Sequence, residues 1–166
     1  MRRRFADIAI PFLLAATYGC ASTAPRAQNA CELLSKDEVR AVQGEAFTRT
    51  QLTTSENRSQ CFYELPMFVN SVSADLVRDG RELWDRMFEA GERGGRKGEE
   101  EDEPKAPPKR IRGVGDEAFW VGSRNAGSLY VRRRNAVVRI SVGGKGTDEE
   151  KVERSKQLAA KALRRL

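Results

Sequence analysis

The chain has 166 residues, and its 30 lysines and arginines exceed its 24 aspartates and glutamates, which gives a formal net charge of +6. Histidine is absent, and this excludes Ser-His-Asp and Cys-His nucleophile systems as well as His-ligated zinc. The three cysteines are too few for an all-thiolate zinc site, which requires four ligands. We therefore expect one domain with no catalytic residues, no metal site and no cofactor.

The start of the chain has the pattern of a secretory leader. Arginines at positions 2–4 precede an uncharged, largely apolar run over 8–19, and Cys20 follows with small residues behind it. As a helix, these 12 residues would span about 18 Å, too short for the roughly 30 Å hydrocarbon core of a bilayer. A buried core helix is the alternative, but Pro11 interrupts the run. We predict a signal peptide over 1–19.

The segment Thr17-Tyr18-Gly19-Cys20 resembles the lipobox of bacterial lipoproteins, in which a small residue precedes a cysteine that is lipidated. The resemblance implies that Cys20 becomes the lipidated N-terminus and anchors the protein to a membrane facing the periplasm or the exterior. Ordinary secretion without an anchor is the alternative. Cleavage before Cys20 leaves 147 residues with a net charge of +4. A net charge of +4 is low for a nucleic-acid-binding protein, and an exported protein is separated from the nucleic acids of the cell. We therefore expect no nucleic acid partner.

Two cysteines, Cys31 and Cys61, remain if Cys20 carries lipid. Two cysteines in an exported chain predict one disulfide, because exported proteins fold in oxidising compartments. Closing a loop of about 30 residues is expected to stabilise the fold by roughly 3–4 kcal/mol. Two buried free thiols are the alternative. A catalytic thiol is disfavoured, because the chain has no histidine to activate it.

The composition changes twice along the chain. Residues 20–30 are mainly small and polar, and they predict a flexible tether between a membrane and a domain over 31–166. Residues 91–110 contain a five-residue acidic block and three prolines, but almost no apolar side chain. They predict a disordered charged insertion within the domain, since one core needs the segments on both sides.

Three capping patterns indicate helices, because a Ser, Asp or Thr precedes a Glu by three residues. The last helix also has acidic side chains at its start and basic ones at its end, which complements its macrodipole. The patterns are Ser35 with Glu38, Asp79 with Glu82 and Thr147 with Glu150, and they begin helices over about 36–43, over about 80–92 and along the C-terminal end of the chain.

Alternating apolar and β-prone residues indicate strands over about 47–52, 59–65, 71–76, 117–121, 128–132 and 137–142. Asn135 is expected to supply left-handed backbone geometry to a hairpin turn over 133–136. Gly113 and Gly115 are expected to form a tight turn whose backbone Asp116 caps. These elements predict an α+β fold: a single antiparallel sheet of about five to six strands, with two to three flanking helices and one long C-terminal helix.

Several short motifs together resemble small bacterial envelope lipoproteins of unknown function, some of which are likened to extracellular sensor domains of receptor kinases. The resemblance covers roughly 30–166 and implies an antiparallel sheet, flanking helices and a disulfide, with no catalytic residues to transfer. The motifs are Cys31-Glu32-Leu33-Leu34-Ser35, Cys61-Phe62-Tyr63, Val114-Gly115-Asp116-Glu117-Ala118-Phe119-Trp120 and Leu129-Tyr130-Val131-Arg132.

These observations favour a non-enzymatic module of the cell envelope that binds or senses a ligand or an envelope protein. Arg132, Arg133 and Arg134 form a basic cluster suited to anionic surfaces, with an ordinary solvated hairpin tip as the alternative. A second hypothesis is an inhibitor or assembly factor that acts through exposed aromatic side chains. A third is a hydrolase that uses two converging carboxylates. The aromatic candidates are Trp84, Phe119, Trp120 and Tyr130.

Overall fold

The computed structural model describes residues 26–89, 107–122 and 127–166. Seven strands form one antiparallel sheet in the order β1-β2-β3-β7-β6-β5-β4. The strands are β1 Arg49–Thr54, β2 Arg58–Glu64, β3 Val72–Val77, β4 Lys109–Ile111, β5 Glu117–Gly122, β6 Gly127–Arg133 and β7 Ala136–Val142. The predicted α+β class and single antiparallel sheet are confirmed.

The described residues form three α-helices, and two of them begin with complete capping boxes. The Ser35 side chain accepts from the Glu38 backbone N–H while the Glu38 carboxylate accepts from the Ser35 backbone N–H, and Thr147 and Glu150 do the same. The helices are α1 Lys36–Gln43, α2 Arg81–Trp84 and α3 Asp148–Ala162. A π-helical turn, Asp85–Glu89, continues α2, and 3-10 turns lie at Ala30–Glu32, Phe68–Asn70 and Leu163–Arg165.

The second capping pattern was wrong. Gly80, rather than Asp79, is the N-cap of α2, and its end has no side-chain cap. Asp79 lies in the turn before the helix with φ of 51°. The Cα atom of Gly80 packs so closely on Val137 that an added Cβ would lie 2.7 Å from a Val137 methyl. The chain therefore uses Asp79 to turn and Gly80 to pass close to β7.

Both faces of the sheet carry packed side chains, although β1 at its edge is exposed along its whole length. The first face packs beneath α1, α3 and the 3-10 turn at Ala30–Glu32, and its side chains form the main core. On the second face, Trp84 and Phe88 of α2 and its π-turn pack on Val77 and Val137. Strand alternation places Phe62, together with polar residues such as Asp75, on the remainder of this face.

The strand count is higher than expected, because β4 was missed. β4 has three residues and pairs with β5, with Arg110 opposite Phe119. Three residues after two prolines show too few alternations to indicate a strand. Lys109 and Arg110, which the predicted insertion over 91–110 included, therefore belong to the sheet; residues 91–106 of that insertion lie outside the described residues.

The predicted disulfide joins Cys31 and Cys61, with a Cα–Cα distance of 4.9 Å. It ties the turn that precedes α1 to the middle of β2. No described helix is long and apolar enough to cross a membrane. The predicted signal peptide over 1–19 and the first part of the tether, through position 25, lie outside the described residues.

Candidate functional site

Five arginines line one cleft at the end of the sheet where β3 ends and β7 begins. The cleft has a volume of about 570 Å³. Asp79 is the one carboxylate side chain among the described residues that line it. We call this site the basic cleft, and its charged residues are Arg26, Arg78, Asp79, Arg133, Arg134 and Arg164.

Four separate segments bring these arginines together. Arg26 lies where the chain joins the domain, and the next residue, Ala27, donates its backbone N–H to the Arg165 carbonyl at 2.7 Å. Arg78 and Asp79 form the turn after β3, and Gly80 donates to the Asn135 carbonyl of the β6–β7 hairpin at 2.6 Å. The sheet register aligns this turn with the hairpin, because Val77 pairs with Val137.

Backbone strain is concentrated at the basic cleft. Among the residues that the structure describes, the non-glycine residues with positive φ are Asp79 at 51° and Arg134 at 55°, and both line the cleft. Left-handed geometry costs a residue with a side chain roughly 1–2 kcal/mol. Such strain persists where the surrounding structure holds it, and it is frequent at binding sites.

Asp116 holds Arg134 in this conformation. Its Oδ2 atom accepts the Arg134 backbone N–H at 2.6 Å across the end of the sheet. The predicted turn residues Gly113 and Gly115 do have positive φ. However, the described hydrogen bond of the Asp116 carboxylate caps the β6–β7 hairpin rather than its own turn. In that hairpin Arg134, and not the expected Asn135, is the left-handed residue.

The arginines of the basic cleft are held largely by main-chain carbonyls. Arg78 donates to the Ala27 and Gln28 carbonyls at 2.8 and 3.0 Å. Arg133 donates to the Leu163 carbonyl at the end of α3 at 2.7 Å. A carbonyl orients a guanidinium without cancelling its charge, so these bonds leave the cleft electropositive.

A carboxylate behind the cleft fixes the C-terminal end of α3. Arg165 lies 2.9 Å from a Glu38 carboxylate oxygen and also donates to the Leu33 carbonyl at 3.0 Å, while Arg164 lies 3.5 Å from Glu38. Burial alone would raise the pKa of the Glu38 carboxyl. The Ser35 backbone N–H and the Arg165 guanidinium outweigh burial and hold that pKa below its usual value.

The structure brings together two of the three predicted arginines. Arg133 and Arg134 line the basic cleft, whereas Arg132 projects from the other face of the sheet, because neighbouring strand residues alternate. Arg132 Nη2 lies 2.8 Å from a Glu117 carboxylate oxygen, and its guanidinium stacks 5.8 Å from the Trp84 ring centroid. The hydrogen bond from Arg132, partly opposed by burial, lowers the pKa of Glu117. Arg132 therefore stabilises α2 on the sheet.

An apolar surface lies at the opposite end of the sheet. Met67, Phe68 and Val69 are exposed by 58, 66 and 64%, although large apolar side chains are usually buried. We call these three residues the apolar tip. The Phe68 ring lies 5.6 Å from the Phe62 ring, and the two border a shallow cleft of about 610 Å³. Lys145 and Lys151 also line this second cleft.

The aromatic candidates for a protein interface do not form a surface. Trp84 and Trp120 are buried on opposite faces of the sheet, and Phe119 and Tyr130 are partly covered by the ring of Phe88. The apolar tip was missed, although three consecutive apolar residues after Pro66 in a connecting segment are a usable signal.

Among the described residues, no two Asp or Glu side chains line the basic cleft together, and none lines the second cleft. The basic cleft has Asp79, and the second cleft is lined by no Asp or Glu in the described part of the chain. Asp75 lies on the second sheet face, and its side chain is buried. Its carboxylate oxygen Oδ2 lies 2.5 Å from Arg58 Nη2 and 3.1 Å from Arg139 Nε. In the same described ranges, no three His, Cys, Asp or Glu side chains lie close enough to hold a metal ion.

Comparison with known proteins adds little to this geometry. No family model matches the chain, and no curated protein matches it. The fold is distantly similar to the crystal structure of a GTP binding regulator from Thermotoga maritima, with 13% sequence identity and a TM-score of 0.41 over 76% of this chain and 88% of that one. A similarity this low bears on neither ligand nor activity, so the candidate site rests on its own residues.

Proposed function

We propose that this protein is an exported, lipid-anchored module of the cell envelope that binds anionic groups through the basic cleft and catalyses no reaction. The observation that carries the proposal is the excess of positive charge in the cleft: five arginines line it, and the described lining residues include one carboxylate side chain. Guanidinium groups bind phosphates and carboxylates through paired N–H donors, and their charge persists at any physiological pH. The strained Arg134 is consistent with a binding role.

Export is supported by the leader pattern and by the disulfide. The Cys31–Cys61 bond is of the kind that persists in oxidising compartments and is rare in the cytosol. Cys20, at the end of the predicted leader, supplies the lipid attachment point in this proposal. The proposed module therefore has an anchor, a tether and a folded binding domain in that order.

The absence of catalysis is supported by the chemistry of the clefts. Hydrolysis by carboxylates requires two of them to flank one reacting bond. Within the described ranges, Asp79 stands in the basic cleft without a second Asp or Glu side chain. The arginines there suit binding and orientation of an anion, which does not by itself transfer a group.

Calorimetric titration with inorganic pyrophosphate at low salt tests the anion site. Replacing Arg134 and Arg164 by Gln should weaken binding at least about tenfold, because two charges leave the basic cleft. The matched control replaces Arg40 and Arg49 by Gln; these are exposed arginines outside the cleft, and the control removes the same charge. Equal binding by the two double variants, or no binding by the parent, would refute the proposed site.

The anchor has an independent test. Metabolic labelling with palmitate should mark the parent chain and not Cys20→Ala, and globomycin should cause the unprocessed precursor of the parent to accumulate. An unlabelled parent that is released from the cell would favour ordinary secretion. Export would be refuted if the protein were found in the cytosol with its leader uncleaved and all its thiols reduced.

A second candidate function, a protein-interaction factor, is favoured by the apolar tip. Its exposed side chains border a cleft with Lys145 and Lys151, so the fitting partner presents apolar and acidic side chains. Sedimentation over a range of concentrations first tests a second copy of this chain as that partner. Phe68→Ser should abolish any self-association through the apolar tip. Unchanged self-association of this variant would exclude the tip as the surface between the copies.

A further inference from the structure

The basic cleft lies close to the point where the proposed anchor joins the domain. Arg26 lines the cleft, and Cys20 is six positions before it in the sequence. Six residues can span at most about 20 Å even when fully extended. A lipid on Cys20 therefore keeps the arginine end of the domain within that distance of the bilayer.

The apolar tip lies at the far end of the same strands. β3 and β7 pair from Val77 with Val137, next to the basic cleft, to Val72 with Val142, next to the tip. Six residues of strand separate these ends, a distance of about 20 Å. When the strands stand upright on a flat membrane, one of these ends faces the lipid and the other faces away, and the tether allows the arginine end to approach the lipid first.

The charge of the basic cleft matches that membrane. Arg78 and Arg133 line the cleft, and the hydrogen bonds described for them go to main-chain carbonyls, which do not neutralise a positive charge. Arg134 is exposed in the hairpin, and Arg164 is exposed beside it. Anionic phospholipid headgroups present phosphates in a layer, and they attract basic side chains within about one Debye length.

We infer that the anionic ligand of the basic cleft is the phospholipid headgroup layer of the membrane to which Cys20 is anchored. This inference rests on the proposed function and deepens it by naming the ligand. The lipid on Cys20 holds the domain near the membrane without fixing its orientation, and a basic surface supplies a second attachment. The two contacts together orient the domain, with the basic cleft towards the lipid and the apolar tip away from it.

Vesicle co-sedimentation of the Cys20→Ala full chain tests the headgroup contact without the lipid anchor. Vesicles of pure phosphatidylcholine measure whatever binding the apolar leader contributes, and vesicles that also contain phosphatidylglycerol add the anionic headgroup. We expect at least about tenfold tighter binding to the anionic vesicles, with the gain lost at high salt. The Arg134→Gln, Arg164→Gln variant should lose most of the gain, and the Arg40→Gln, Arg49→Gln control should keep it; the leader arginines at positions 2–4 are common to both variants.

The outcomes separate this inference from the proposed function. Pyrophosphate binding that depends on the basic cleft, together with equal vesicle binding by the two double variants, would overturn the headgroup assignment and leave an anion site for a soluble ligand. Failure of both probes would refute both. The assignment would also be overturned if the apolar-tip variant Phe68→Ser no longer bound anionic vesicles while the arginine variant still bound them.

The orientation has its own readout in the lipidated protein. A fluorophore on Asn135→Cys, in the hairpin of the basic cleft, should transfer energy efficiently to acceptor-labelled headgroups in reconstituted vesicles. The same fluorophore on Met67→Cys, in the apolar tip, should transfer less. Equal transfer from the two positions, or stronger transfer from Met67→Cys, would overturn the orientation.

Discussion

The two ends of the sheet are built by different means. The basic cleft takes its arginines from four segments that are far apart in the sequence, and hydrogen bonds such as that from the Arg134 backbone N–H to the Asp116 carboxylate hold them. The apolar tip is one short connection between β2 and β3, and its three side chains are adjacent in the sequence. The first surface therefore depends on the tertiary fold, whereas the second depends mainly on local sequence. Disturbing the fold should affect the two ends unequally.

Removing the disulfide is the strongest way to test this dependence. Replacing Cys31 and Cys61 by Ala should lower the free energy of unfolding by roughly 3–4 kcal/mol, because the unfolded chain regains the freedom of a loop of about 30 residues. Urea denaturation of the oxidised parent and the double variant measures this loss. Where the variant is still folded, pyrophosphate binding should weaken, since the disulfide fixes the segment whose carbonyls hold Arg78. Equal stability of the two proteins would contradict the expectation.

A pair of phenylalanines tests whether the apolar tip is part of the core. Phe88 is 6% exposed and stacks on Phe119 at 4.6 Å, so Phe88→Ala should cost about 3 kcal/mol. Phe68 lies on the tip, and Phe68→Ala should change stability by less than about 0.5 kcal/mol. Thermal unfolding of both variants measures the difference. A large loss in Phe68→Ala would show that the tip supports the fold and would weaken its assignment as an interaction surface.

Much of the fold could be predicted because its signals are local. Both confirmed capping boxes depend on residues three positions apart, and the alternation of Val138, Ile140 and Val142 places each on the buried face of β7. The cysteine pairing followed from the number of cysteines and from the predicted export. β4 escaped because its pairing with β5, rather than its own three residues, makes it a strand.

The candidate site was harder to predict than the fold. The cluster Arg132-Arg133-Arg134 drew attention to the hairpin, but strand alternation separates Arg132 from its neighbours, and this could have been anticipated. Arg26, Arg78 and Arg164 carry no mutual signal in the sequence, because only the folded sheet brings them to one cleft. The positive φ of Arg134 is equally hidden, since a neighbouring Asn is the usual choice at such a turn.

Acid titration tests the carboxylate that fixes the end of α3 behind the basic cleft. The folded-state pKa of Glu38 lies below its usual value, so its contribution is complete above the unfolded pKa of about 4.3 and is lost as the pH falls through the folded value. Glu38→Gln should therefore lose about 1–2 kcal/mol at neutral pH. The difference from the parent should shrink below about pH 4.

Glu153→Gln is the matched control for Glu38→Gln. Glu153 is an exposed residue of α3 paired with Lys156 at 3.3 Å, and its loss should cost less than about 0.5 kcal/mol. Denaturant unfolding over a pH series measures both variants. A Glu38→Gln deficit that persisted unchanged into acid would show that packing of the side chain, rather than its ion pair with Arg165, carries the effect.

The smallest expected effect separates stability from binding at the basic cleft. Arg134→Gly should raise the free energy of unfolding by about 0.5–1 kcal/mol, because glycine adopts the positive φ without strain. The same change removes a guanidinium, so pyrophosphate binding should weaken. The control Asn135→Gly changes the adjacent residue, whose φ is not positive, and it should lower stability slightly. Greater stability with weaker binding is the result expected of a residue kept for its ligand. Weaker binding without the gain in stability would mean that the Asp116 contact already relieves the strain, and unchanged binding would remove Arg134 from the site.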